Sequence, residues 1–96
     1  MDMEEIEHQI ADSLHVTTSL GLLSMESYHE YKHAVVQGML MFGTLFFKSL
    51  SSALYHAGVN DSVKILNMWQ SDAEQYSILY RVYKAKSDAE QHEKSL

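Results

Sequence analysis

The chain has 96 residues, no cysteine, no proline and four glycines, and its 13 acidic against 7 basic residues give a formal charge of -6. That length is one domain with a thin core. The missing cysteines exclude disulfides and thiolate zinc sites. The scattered basic residues argue against nucleic-acid binding, which needs Lys/Arg patches for phosphate.

Few breakers suit long helices and disfavour a strand-rich fold. At the start of the chain, Met3, Ile6, Ile10 and Leu14 recur at helical spacing among Glu4, Glu5, Glu7, Gln9 and Asp12. This predicts a short amphipathic helix over about 2–15, its carboxylates well placed against the positive end of the helix dipole. The acidic start lacks the basic and apolar pattern of a signal peptide. His15 to Gly21, with its β-branched residues and glycine, reads as a connection.

Ser24 is a predicted N-cap with Glu26 in the first turn, and Gly58 a predicted left-handed C-terminal cap. Between them a long helix is expected, about 24–57. Tyr28, Tyr31, Val35 and Phe42 share its first face. From Met39 to Phe47 the pattern becomes apolar nearly all round, so this stretch needs cover on every side. The most apolar segment, Ala34 to Phe47, is too short to cross a bilayer, which takes about 20 residues, and holds Gln37 and two glycines. The chain is therefore expected to be soluble and cytoplasmic, with no membrane span.

Asn60-Asp61 reads as a turn, with Asp61 capping a last helix over about 61–90. Ile65, Met68, Trp69, Asp72, Ala73, Tyr76, Leu79, Tyr80 and Tyr83 form its seam, spaced near 3.5 residues, with Asp72 the weak point of the stripe. Beyond Lys86 the apolar anchors stop, so 87–96 is expected to fray. The expected fold is all-α: a small helical bundle built as a long antiparallel helical hairpin plus the N-terminal helix.

Such a bundle leaves the all-apolar stretch incompletely covered, and a second copy of the chain is the simplest cover. Ala34, Val35, Gly38, Met39, Met41, Phe42, Leu45 and Phe46 are the candidate interface residues, with Ala34 and Gly38 small enough to admit another helix. A homo-oligomer, most simply a dimer, or binding to another protein follows as the expectation.

Two motifs suggest chemistry. His29-Glu30-Tyr31-Lys32-His33 places two imidazoles one turn apart, and over these five residues it resembles the zinc-binding helix of zincin metalloproteases. Lys32 departs from that pattern by setting a positive charge between the ligands. Glu26-x-x-His29 and Glu30-x-x-His33 are two Glu-x-x-His pairs, as is Glu5-x-x-His8. They resemble the ligand pairs of ferritin-like di-iron bundles, with Glu74 as the facing carboxylate. The alternative cofactor is thus iron or zinc at Glu26, His29, Glu30, His33 and Glu74. His33 with Gly43 ten residues on resembles histidine phosphotransfer domains, but Val36 stands where their lysine would be. No phosphate loop, nucleophile elbow or Ser/His/Asp arrangement is present. The sequence therefore favours a non-enzymatic interaction protein, with no cofactor, over a metal protein.

Overall fold

The computed structural model describes residues 15–18 and 21–95; the expected N-terminal helix falls on residues outside these. Strands β1 (His15–Thr18) and β2 (Gly21–Ser24) are followed by α1 (Met25–Phe42), α2 (Leu45–His56), α3 (Val59–Met68) and α4 (Gln70–Ser95). The protein is an all-α helical bundle whose described part begins with a small hairpin.

The hairpin lies where a connection was expected. β1 pairs antiparallel with β2, from His15 opposite Ser24 to Thr18 opposite Gly21. Val16, Thr17 and Thr18 are β-branched residues that suit extended backbone, and the same feature that argued against helix favours a strand here. Ser24 then ends β2 and starts α1 in one residue. Its side chain accepts a hydrogen bond from the Ser27 amide at 3.1 Å, the expected N-cap.

The long helix expected over about 24–57 is divided at Gly43–Thr44. Gly43 leaves the helical conformation at φ -81°, ψ 164°, its amide donating to the Met39 carbonyl at 2.9 Å. Thr44 begins α2 as an N-cap, its hydroxyl accepting from the Phe47 amide at 3.4 Å. A Cβ on residue 43 would run into the Met39 carbonyl and would sit 2.8 Å from Phe47 Cβ, so the turn closes tightly only on glycine. The reversal makes α1 and α2 the antiparallel pair. Lys32 reaches Ala57 across it, and Val36 and Leu40 share a groove with Lys48, Ser51, Ser52 and Tyr55. The tight turn thus falls at Gly43, well before the Gly58 cap and the Asn60-Asp61 turn that were expected to end the long helix.

Gly58 has a different role from the expected left-handed cap. It precedes α3 at φ -72°, ψ 179° without a side-chain cap, and Asp61 lies inside the first turn of α3. The last helix is also divided. Trp69 breaks it at φ -114°, ψ 39°, its amide donating to Ile65 while its carbonyl accepts from Ala73 at 2.8 Å. Its indole packs on Phe46 and Phe47, with ring centroids 5.1 and 5.7 Å away. Phe47 in turn meets Tyr76 at 5.2 Å. This aromatic cluster ties the start of α2 to the α3–α4 junction and accounts for the bend there.

α1 lies between α2 and α4 and supplies most of the core. Tyr28, Tyr31, Val35, Val36 and Met39 are buried together with Leu54, Leu66 and Ala73. At Gly38 the backbones of α1 and α4 come into contact, since a Cβ there would overlap the Tyr76 carbonyl. His33 and Phe42, nine residues apart on α1, meet Tyr80 and Tyr83, only three apart on α4. Helices lying side by side would match those intervals, so α1 and α4 cross. Past Tyr80, α4 continues to Ser95 with no buried side chain among its described residues.

Candidate functional site

The apolar run of α1 and α2 divides into a covered and an uncovered part. Ala34, Val35, Gly38 and Met39, candidate interface residues, are buried inside the chain's own core. The Ala34/Gly38 notch is filled by α4, which corrects the expectation that it admits a second molecule. The other four candidates lie around the Gly43–Thr44 turn and are exposed: Met41, Phe42, Leu45 at 84% and Phe46 at 53%. Leu40 joins them on the same tip.

The tip is partly covered: Tyr83 of α4 meets Phe42 edge-on at 6.2 Å, and Trp69 packs on Phe46. Met68, 74% exposed beside Trp69, was expected in the last helix's seam. The bend at Trp69 turns it outward instead.

His29 and His33 line one groove, but the carboxylates among the described residues do not complete a metal-ligand set around them. Glu26, His29, Glu30, His33 and Glu74 are all exposed, and no three histidine or carboxylate side chains among the described residues gather as metal ligands do. The His29 ring packs on Tyr28 at 5.1 Å, and the His33 ring meets Tyr80 edge-on at 5.7 Å. The Glu74 charge acts on Tyr31. Burial, then the Glu74 charge, raise the Tyr31 hydroxyl above its ordinary pKa, while Arg81 opposes them.

Lys32, between the two histidines, is a structural residue that sequence reasoning missed. Its ammonium donates to the Ala57 carbonyl at 2.9 Å, and Ser62 Oγ donates to the same oxygen at 3.3 Å. Ala57 is the C-cap of α2, where the dipole favours a cation. One carbonyl thereby binds α1, α2 and α3 together. Burial holds the lysine below its ordinary pKa. A shallow groove of about 210 Å³ lies beside it, lined by His29, Lys32, His33, Val36 and Tyr55. The lysine's engagement with Ala57 leaves that groove without a free central cation.

The fold and this surface define a small helical bundle with an open apolar tip. No family model matches the chain, and no curated protein or solved structure is similar to it. No helix among the described residues is long and apolar enough to cross a membrane.

Proposed function

We propose that the chain is a non-enzymatic protein–protein interaction module, of the kind that serves as a small adaptor, chaperone-like binder or inhibitor, and that it associates with itself through the tip of the α1–α2 hairpin. The observation that carries this reading is the cluster of uncovered apolar side chains at Met41, Phe42, Leu45 and Phe46. Contiguous apolar patches of that kind mark association sites more often than isolated exposed residues do. Phe42 and Phe46 supply the aromatic area that anchors interfaces.

Magnitude supports the same reading. The accessible surface is 6821 Å², whereas a folded monomer of this mass exposes about 5,600 Å². The exposed apolar side chains at the tip add to that excess. A homodimer joined tip to tip about a two-fold axis would apply the same patch twice.

Sedimentation of wild type and Leu45→Asp over a concentration series tests the proposal. Leu45 is the most exposed of the apolar tip residues, so its replacement leaves the core intact. The expected result is a concentration-dependent dimer for wild type and a folded monomer for the variant. Equal sedimentation of the two at every concentration would contradict it.

A further inference from the structure

The reversal between α1 and α2 is made by two residues that stand one rotation each from helix. Gly43 and Thr44 have φ of -81° and -70°, near the helical value, and ψ of 164° and 175°. Helical ψ is about -42°, so turning two ψ bonds makes α1 and α2 one helix. That helix would add four backbone hydrogen bonds absent at the turn, from the amides of residues 44–47 to the carbonyls of residues 40–43. In the turn, Phe47 alone of these four amides has a partner among the described residues, the Thr44 hydroxyl.

The turn also joins two halves that are incomplete alone. On one side lie β1, β2 and α1, with Tyr28, Tyr31, Val35, Val36 and Met39 of the core; on the other lie α2, α3 and α4, with Leu54, Leu66 and Ala73. Contacts between the halves do not involve the turn. β1 packs on α3, Lys32 donates to the Ala57 carbonyl, and Gly38 lies against the Tyr76 carbonyl. The cluster of Phe46, Phe47, Trp69 and Tyr76 belongs wholly to the second half. All of these contacts are equally satisfied when the second half comes from another copy of the chain.

We infer that the dimer forms by this exchange: each copy straightens through Gly43–Thr44, and its α1 packs on α2, α3 and α4 of the other. The inference rests on self-association through the tip and states how the two tips meet. In the closed hairpin α1 and α2 run antiparallel, with Lys32 against Ala57 and Val36 sharing a groove with Tyr55. The same register, carried through a two-fold axis at the turn, sets residues 40–47 of the two copies side by side. Leu40, Met41, Phe42, Leu45 and Phe46, exposed in the closed chain, then lie where the two straightened helices cross. Closed and exchanged forms share every other contact, so burial of this apolar area favours the dimer. A two-residue hinge, too short to let the hairpin relax, is the connection at which such exchange occurs.

The chain has no cysteine, so Gln37→Cys with Ser52→Cys places one thiol on each wall of the α1–α2 groove. The isolated dimer is treated with a short bis-maleimide at low concentration and read on a denaturing gel. The expected product has twice the 11.0 kDa chain mass, because each groove is shared between copies. A dimer that yields only single-chain product would overturn the exchange and leave closed hairpins joined at the tip. A chain that stays monomeric at every concentration would overturn the tip reading and the exchange together. Two hinge variants carry opposite expectations. Thr44→Pro suits the closed turn, since Thr44 has φ -70° and Gly43 before it is extended, but its ring excludes a helix running on from Leu40. It should sediment as a folded monomer although Leu45 and Phe46 are unchanged. Gly43→Ala would press a Cβ against the Met39 carbonyl in the turn and suits the open helix. It should dimerise at a concentration lower by about tenfold or more. A Thr44→Pro dimer as stable as wild type, or a monomeric Gly43→Ala where wild type pairs, would each contradict the exchange.

Discussion

Two tyrosines at the centre of the bundle show how single residues set its stability. Tyr28 and Tyr31 are buried, and neither hydroxyl has a hydrogen-bond partner among the described residues. A buried unpaired hydroxyl carries a desolvation cost of about 1–3 kcal/mol. Tyr28→Phe keeps the ring and removes that cost, so it should raise stability by about 1 kcal/mol in urea titration. Tyr31 adds a pH dependence. Its pKa is raised in the folded state, so the folded chain holds the proton where the unfolded chain has lost it. That contribution is complete below the unfolded value near 10 and is lost as pH rises through the folded value. Wild type should therefore lose more stability than Tyr31→Phe between about pH 9 and 11, in thermal melts followed by circular dichroism. Gly38 is the opposite case, a residue whose value is its lack of a side chain. Gly38→Ala would press a methyl into the Tyr76 carbonyl and should cost roughly 1–3 kcal/mol, the range for overpacking.

The elements depend on their ends. Thr44→Ala removes the N-cap of α2 and should cost about 1 kcal/mol. At Gly58 the change runs the other way. Its extended backbone suits an N-cap, nothing lies within 4 Å of an added Cβ, and no side chain caps α3 at present. Gly58→Asp should stabilise by a few tenths of a kcal/mol or more, through a new cap and a less flexible unfolded chain. These ends also explain what the sequence made legible. Ser24 announces its helix because a serine there can cap it, Gly21 shortly before interrupts any earlier helix, and Glu26 follows in the first turn. Thr44 does not, because it stands inside an apolar run and Phe47, three residues on, offers no capping-box carboxylate. The bend at Trp69 has no local signal at all: it follows from Phe46 and Phe47, more than twenty residues earlier, arriving beside the indole.

At the scale of the whole molecule, helical periodicity was enough to read the class of fold, whereas the pairing of helices depended on where the chain reverses. Moving the tight turn from Gly58 to Gly43 changes which surfaces meet. It buries Ala34, Val35, Gly38 and Met39 within the chain and leaves Met41, Phe42, Leu45 and Phe46 outside. Hydrophobicity marked all eight residues alike and could not tell the four exposed ones from the four buried ones. Ala34, Val35, Gly38 and Met39 are core, and composition cannot distinguish a side chain covered by its own chain from one covered by another. The same limit applied to His29 and His33. Their spacing suits a shared metal ion, but no third histidine or carboxylate among the described residues gathers with them, and Lys32 is committed to the Ala57 carbonyl.

Native mass spectrometry of the untagged wild-type protein tests self-association most directly, since one spectrum reports both subunit number and any bound metal. The proposal predicts a metal-free dimer of the 11.0 kDa chain that gives way to monomer in Leu45→Asp. A wild-type spectrum containing only the monomer at every concentration would contradict self-association through the tip, and a stoichiometric iron or zinc mass would move attention back to the histidines of α1.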